Sequence, residues 1–172
     1  MKRIDFINAL KERCEGEESF IKAHSQDGIA FLKVNSGSGG TAFLKTGSDG
    51  TGGINFQHGF AYRMNEGIEG YPLVWLCPPE FVSKRIDETD SYTTYNATVY
   101  IHHLNDKYTE DEKEEIWQEQ EDLAFSLFKM WNLTGTDIVR LEIMKISPDE
   151  FRFKDGTISS QLEIQFELYD CR

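Results

Sequence analysis

Hydrophobic and polar positions alternate most cleanly over residues 160–169, SQLEIQFELY. Leu162, Ile164, Phe166 and Leu168 fall on one side, and Gln161, Glu163, Gln165 and Glu167 on the other. A period of two with one polar side predicts a strand with one solvated face. Residues 92–103, YTTYNATVYIHH, are rich in β-branched and aromatic side chains and predict a second long strand. Tyr95, Ala97, Val99 and Ile101 would share one face of it; Thr94, Asn96, Thr98, Tyr100 and His102 the other. Residues 71–77, YPLVWLC, are apolar almost throughout and stop at Pro78-Pro79, which predicts a strand covered on both faces. Residues 137–146, DIVRLEIMKI, read as a further strand. Ser147-Pro148-Asp149 reads as a turn, Phe151-Arg152-Phe153 as the start of a short strand, and residues 154–157 as another turn.

Two stretches carry a helical rhythm instead. In residues 3–14, Ile4, Ile7, Ala9, Leu10 and Cys14 lie near one helical face, and the charged run 15–18 ends the pattern. Residues 109–131 predict a longer helix. Thr109 with Glu112 three positions on forms a capping-box signature. Ile116, Leu123, Leu127 and Met130 or Trp131 form its buried stripe, widened by Trp117, Ala124 and Phe128, and Gly135 closes it. Residues 28–34 predict a short strand. The stretch that follows, 35–53, holds seven of the chain's fourteen glycines. It reads as a loop or hairpin with Ala42-Phe43-Leu44-Lys45 as one arm and a tip at Ser48-Asp49-Gly50. Strands and helices are segregated rather than strictly alternating. This predicts an α+β fold, a mainly antiparallel sheet packed against an N-terminal helix and one long central helix. A length of 172 residues suits one domain, 1–172, with a glycine-rich insertion at about 35–59.

Charge narrows the function. With 18 Lys+Arg against 30 Asp+Glu, the net charge is −12. That balance argues against direct nucleic-acid binding, which needs clustered cations to neutralise phosphate. No apolar run approaches the roughly 20 residues that span a bilayer, so no membrane association is expected. The N-terminus turns charged before a signal-like stretch develops. Cys14, Cys77 and Cys171 are odd in number and widely spaced, which reads as three reduced thiols rather than a disulfide or zinc framework. His102 and His103 are adjacent and would point to opposite faces of a strand. Gly37-Ser38-Gly39-Gly40-Thr41-Ala42 fits the loose G-x-G-x-x-A pattern, but no helix-forming stretch follows to hold a pyrophosphate. There is no P-loop and no G-x-S-x-G elbow. The expectation is therefore a non-enzyme without a cofactor or metal. Residues 106–122 carry nine acids and two lysines, a local charge of −7, with Glu115, Glu119 and Asp122 along one helical face. Such a face is solvated and suited to a basic partner.

The order of these elements resembles a known family. It runs from the N-terminal amphipathic helix through YPLVWLCPPE and YTTYNATVYIHHLND to the helix EEIWQEQEDLAFSLFKMW. The closing segment is ISPDEFRFKDGTISSQLEIQFELYD. This layout is similar to the tail-terminator or tail-completion proteins of long-tailed phages and prophages, over residues 70–170 and the first helix. The resemblance implies a structural subunit without catalytic residues. It would assemble as a ring, often hexameric, and dock on tail-tube or head-completion proteins. Its place would be the bacterial cytoplasm during assembly and the virion afterwards. The glycine-rich segment departs from the family pattern, which leaves a neighbouring head–tail connector as the near variant. On this reading the interaction residues are Phe43, Leu44, Lys45 and Asp49 of the loop and Glu115, Glu119 and Asp122 of the helix. The alternative is a monomeric or dimeric bacterial module that binds a ligand or protein.

Overall fold

The stretches with the strongest β preference form the centre of one sheet, and the two amphipathic stretches cover one of its faces. A computed structural model describes residues 2–16, 30–36, 40–45, 55–63, 73–87, 90–103, 109–129, 138–149 and 157–171. In chain order these form helix α1 (Arg3–Gly16) and strands β1 (Ala30–Ser36), β2 (Gly40–Lys45) and β3 (Asn55–His58). A single 3-10 turn (Ala61–Arg63) precedes strands β4 (Leu73–Leu76), β5 (Glu80–Ile86) and β6 (Asp90–His103). Helix α2 (Glu110–Lys129) and strands β7 (Ile138–Pro148) and β8 (Ile158–Cys171) complete the order. The fold is α+β. The main sheet runs β3-β4-β6-β8-β7, and β5 also pairs with β6. Its pairings are antiparallel except β3 with β4. β1 and β2 make a separate antiparallel pair.

Strand β6 organises the sheet. One side pairs with β8 along its whole length, from Asp90↔Cys171 to His103↔Ile158. The other side is shared: β4 pairs with residues 99–102 and β5 with residues 91–96. β4 and β5 thus form one interrupted strand, broken at Cys77-Pro78-Pro79. The break is chemical, because proline has no amide hydrogen to give to the ladder. The Cys77 amide makes the last bond before it, to the Thr98 carbonyl at 2.8 Å. Arg3 Nη1 then donates to the Pro79 carbonyl at 3.2 Å and ties the break to α1.

The core lies between the helices and one face of the sheet. Phe6, Leu10 and Cys14 of α1 and Leu123, Leu127 and Phe128 of α2 pack on Val99 and Ile101 of β6 and on Leu162, Ile164, Phe166 and Leu168 of β8. The alternation expected of β8 holds position by position. In α1 the buried face is Phe6, Ile7, Leu10 and Cys14, while Ile4 is exposed. Phe6 replaces Ile4 because its ring stacks flat on Phe166, centroids 3.8 Å apart. Burying a side chain of that size contributes roughly 1.5–3 kcal/mol. The capping box at α2 is formed. The Thr109 amide and hydroxyl donate to Glu112 Oε2 at 2.7 and 2.9 Å, and the Glu112 amide donates to the Thr109 hydroxyl at 3.3 Å. The Thr109 amide bond, then the hydroxyl bond, hold the Glu112 carboxyl below its usual range.

The arm 42–45 belongs to β2 and pairs with β1 (Val34↔Ala42, Ser36↔Gly40); the expected tip at 48–50 lies outside the described residues. As the hairpin reading expected, 42–45 are extended. Within the 35–59 segment, Asn55–His58 form an edge strand of the main sheet. Strand β5, absent from the sequence reading, runs just past the Pro-Pro stop. Asp49, Met130, Trp131, Gly135 and residues 151–153 lie outside the described residues.

Candidate interaction surface

The two ends of β6 meet different surroundings. Towards its C-terminus both faces are covered. Val99 and Ile101 face the helices, while Tyr100 joins Leu73 and Trp75 of β4 in a second cluster on the opposite face. The Trp75 indole donates to the Gly59 carbonyl at 2.9 Å. A Cβ on Gly59 would sit 3.2 Å from that ring, so the backbone approaches this closely only with glycine.

Several polar groups buried at this end are hydrogen-bonded across elements. Gln120 of α2 is fully buried. Its amide nitrogen donates to the Ile101 and Ile158 carbonyls, each at 3.1 Å, and its oxygen accepts the Ser160 hydroxyl at 2.6 Å. It clamps the helix to the two central strands. The Trp117 indole adds a bond to the Ser159 carbonyl at 3.1 Å. His102 Nδ1 lies 2.7 Å from Ser159 Oγ. Desolvation lowers the His102 pKa to about 3, so the ring is neutral at physiological pH. His102 and Ser159 are both fully buried. His103, the next residue, points to the helix-side face, as adjacent strand positions must.

The N-terminal half of β6 carries the hairpin with β5. The Asp87 amide closes its turn on the Asp90 carbonyl at 2.8 Å. Every residue of β5 is exposed, among them Phe81 (63%), Val82 (46%) and Ile86 (54%). The register slips between Phe81 and Ser83, making Val82 a bulge residue. Phe81 meets Tyr95 edge-on at 6.3 Å, Tyr95 stacks on Phe166 at 5.4 Å, and Phe166 stacks on Phe6. The aromatic core therefore continues through a line of rings to an exposed phenylalanine. On the opposite face, the Arg85 guanidinium lies 4.5 Å from the Tyr92 ring centroid. Tyr92 packs on Tyr169, whose hydroxyl donates to Asp90 Oδ1 at 2.6 Å.

This edge is guarded against strand addition. It begins after two prolines, carries a bulge, and has Lys84 and Arg85 just before its last residue, Ile86, and prolines, bulges and cations are features that blunt sheet edges. Its apolar side chains Phe81, Val82 and Ile86 remain exposed.

The residues predicted from sequence lie elsewhere. Phe43, Leu44 and Lys45 lie on β2, paired to β1, and β1 packs along α2. Glu115 and Asp122 are exposed on α2, and Glu119 is half-buried. Among the described residues no three His, Cys, Asp or Glu side chains form a group able to hold a metal. Cys14 and Cys77 are not disulfide-bonded. No helix among the described residues is long and apolar enough to cross a membrane. The sequence did contain a signal for β5: Phe, Val and Ile between a Pro-Pro stop and the polar turn 87–90, immediately before a strong strand, which is a hairpin pattern.

Two concavities adjoin the hairpin. One, of about 320 Å³, lies between Cys77, Glu80, Asn96, Thr98, Met144 and Glu163. Another, of about 400 Å³, is more apolar and lies between Arg3, Ile4, Ile7, His58, Phe60 and Pro79. No protein-family model matches the chain, and no curated protein matches it.

Proposed function

We propose that this chain is a non-enzymatic structural subunit that acts by self-association and by docking on tail or head proteins of a phage or prophage. This is the role implied by its resemblance to tail-terminator and head–tail joining proteins. The observation that supports assembly is the hairpin face. Phe81, Val82 and Ile86 are exposed together, in line with the core through Tyr95 and Phe166. Exposed apolar side chains gathered on one strand beside the core are the kind of surface a protein interface uses. The phage assignment itself rests on the resemblance. On this reading an N-terminal helix and a long central helix brace the sheet, and the subunit assembles in the bacterial cytoplasm and ends in the virion. The test is absolute mass by light scattering behind a sizing column, across protein and salt concentration. A hexameric ring, or a mass that rises with concentration, is the expected result. A strict monomer that also fails to bind purified tail tubes would overturn it.

A second reading, a monomeric or dimeric binding module, draws on the groove of about 400 Å³ beside α1, where Arg3 and His58 flank Ile4, Ile7 and Phe60. A discrete, mostly apolar concavity with a few polar groups is the usual form of a small-ligand site. A ligand that raises the melting temperature of a strictly monomeric protein would favour it.

A further inference from the structure

We propose that the helix-side face of the β5–β6 hairpin receives the outer face of helix α2 from a second copy, so that the chains associate head to tail. This rests on the self-association reading and specifies its partner surfaces.

The first ground is what the described residues leave uncovered. Its own helices are placed elsewhere: α1 against β3, and α2 against β7, β8 and β1. Pairing of Phe81 with Tyr95, Lys84 with Thr93 and Ile86 with Ser91 puts Phe81, Lys84 and Ile86 on the side of the sheet that the helices cover further along. There they are exposed. A sheet face buries its apolar side chains against another layer, and on this side of this sheet that layer is helical.

The second ground is the guarded edge. The prolines, the bulge and the paired cations oppose edge-to-edge strand addition. A partner is therefore directed to the face.

The third ground is complementarity. On α2, Asp111, Glu115, Gln118, Asp122 and Phe125 recur at +4, +3, +4 and +3 and are all exposed, forming one stripe. It is acidic along most of its length and ends in Phe125, 51% exposed. The hairpin face offers the reciprocal set, Lys84 between Phe81 and Ile86. Apolar meets apolar, and the cation meets the acids, within a chain whose net charge is −12. The two patches differ, so each copy has both and the contact is heterologous. Such contacts repeat, closing into a ring where the rotation permits.

A charge exchange tests the pairing. Lys84→Glu and Asp122→Lys each place like charges across every junction, and each is expected to weaken association about ten-fold. Mixing the two variants restores opposite charges in an alternating assembly. At one junction the introduced carboxylate at position 84 meets the introduced ammonium at position 122, and at the next the native Lys84 meets the native Asp122. The mixture is therefore expected to regain the wild-type mass distribution by light scattering. Both positions are exposed, and unchanged melting temperatures of the single variants check that they fold. Phe125→Ser is an independent variant expected to weaken association without charge reversal. If the wild type associates but the mixture stays as weak as its components, the head-to-tail pairing is wrong and self-association stands. If the wild type remains monomeric at the highest concentration reached, both fail.

Discussion

The two halves of strand β6 belong to one continuous strand with one partner, β8, yet they behave as different materials. Residues 99–103 are buried on both faces, and the polar groups Gln120 and His102 there are hydrogen-bonded. Residues 92–96 are half-buried, with Asn96 exposed, and border a strand exposed throughout, so that an exposed phenylalanine stands where the closed half has core. The difference comes from what lies beyond the strand. At one end Gln120, Trp117 and Trp75 fasten covering layers onto the sheet. At the other, the Pro78-Pro79 break turns the neighbouring strand into a guarded edge. Stability is thus concentrated where both faces are covered, and the proposed assembly uses the half that borders the exposed strand β5.

The largest effect should come from removing the clamp. Gln120→Ala leaves the Ile101 and Ile158 carbonyls and the Ser160 hydroxyl without this partner. The expected loss is about 3 kcal/mol in denaturant unfolding. Association of the folded fraction should be unchanged. Equal damage to both properties would mean that the halves are not separable.

Acid should act on the same half. The folded His102 pKa is lowered to about 3 from an ordinary 6.5, so below about pH 6.5 the unfolded chain binds a proton that the folded chain refuses. The stabilisation from neutral His102 is complete above that pH and is lost progressively as pH falls towards the folded value. At about pH 5 the loss is roughly 2 kcal/mol. His102→Gln should flatten that part of the pH profile, measured by urea midpoints. A slope unchanged in the variant would assign the acid sensitivity to other groups.

The smallest effect on stability belongs to the open half. Phe81→Ser removes a ring that is mostly in water and should change monomer stability by no more than about 0.5 kcal/mol. The same substitution should weaken self-association markedly. A large stability loss would make Phe81 a core residue and remove the contrast.

The closed half was legible in the sequence because burial imposes period. The alternation of β8, the apolar run of β4 and the stripe of α2 each report a covered face. Gln120 was not, since a polar residue inside an apolar stripe reads as an interruption until both strands bring their carbonyls to it. Phe6 was displaced by Ile4 in the reading of α1, because spacing alone cannot show that a ring on β8 waits to stack. β5 was missed for the reason that makes it interesting: with every residue exposed, no burial pattern marks it. The candidate residues read from sequence were chosen by composition, glycines around Phe43–Lys45 and acids around Glu115–Asp122. That choice includes Glu115 and Asp122 of the α2 stripe proposed as a partner surface, but composition does not show that the β5–β6 hairpin carries an exposed phenylalanine.

Hydrogen exchange followed against protein concentration tests the division most directly. The expected result is protection that rises together in residues 80–86, 91–96 and 111–125 as concentration increases, while the β7 edge at 138–148 stays constant. Exchange that is independent of concentration in the hairpin, or protection that grows at β7 instead, would contradict the assignment of assembly to the open half of β6.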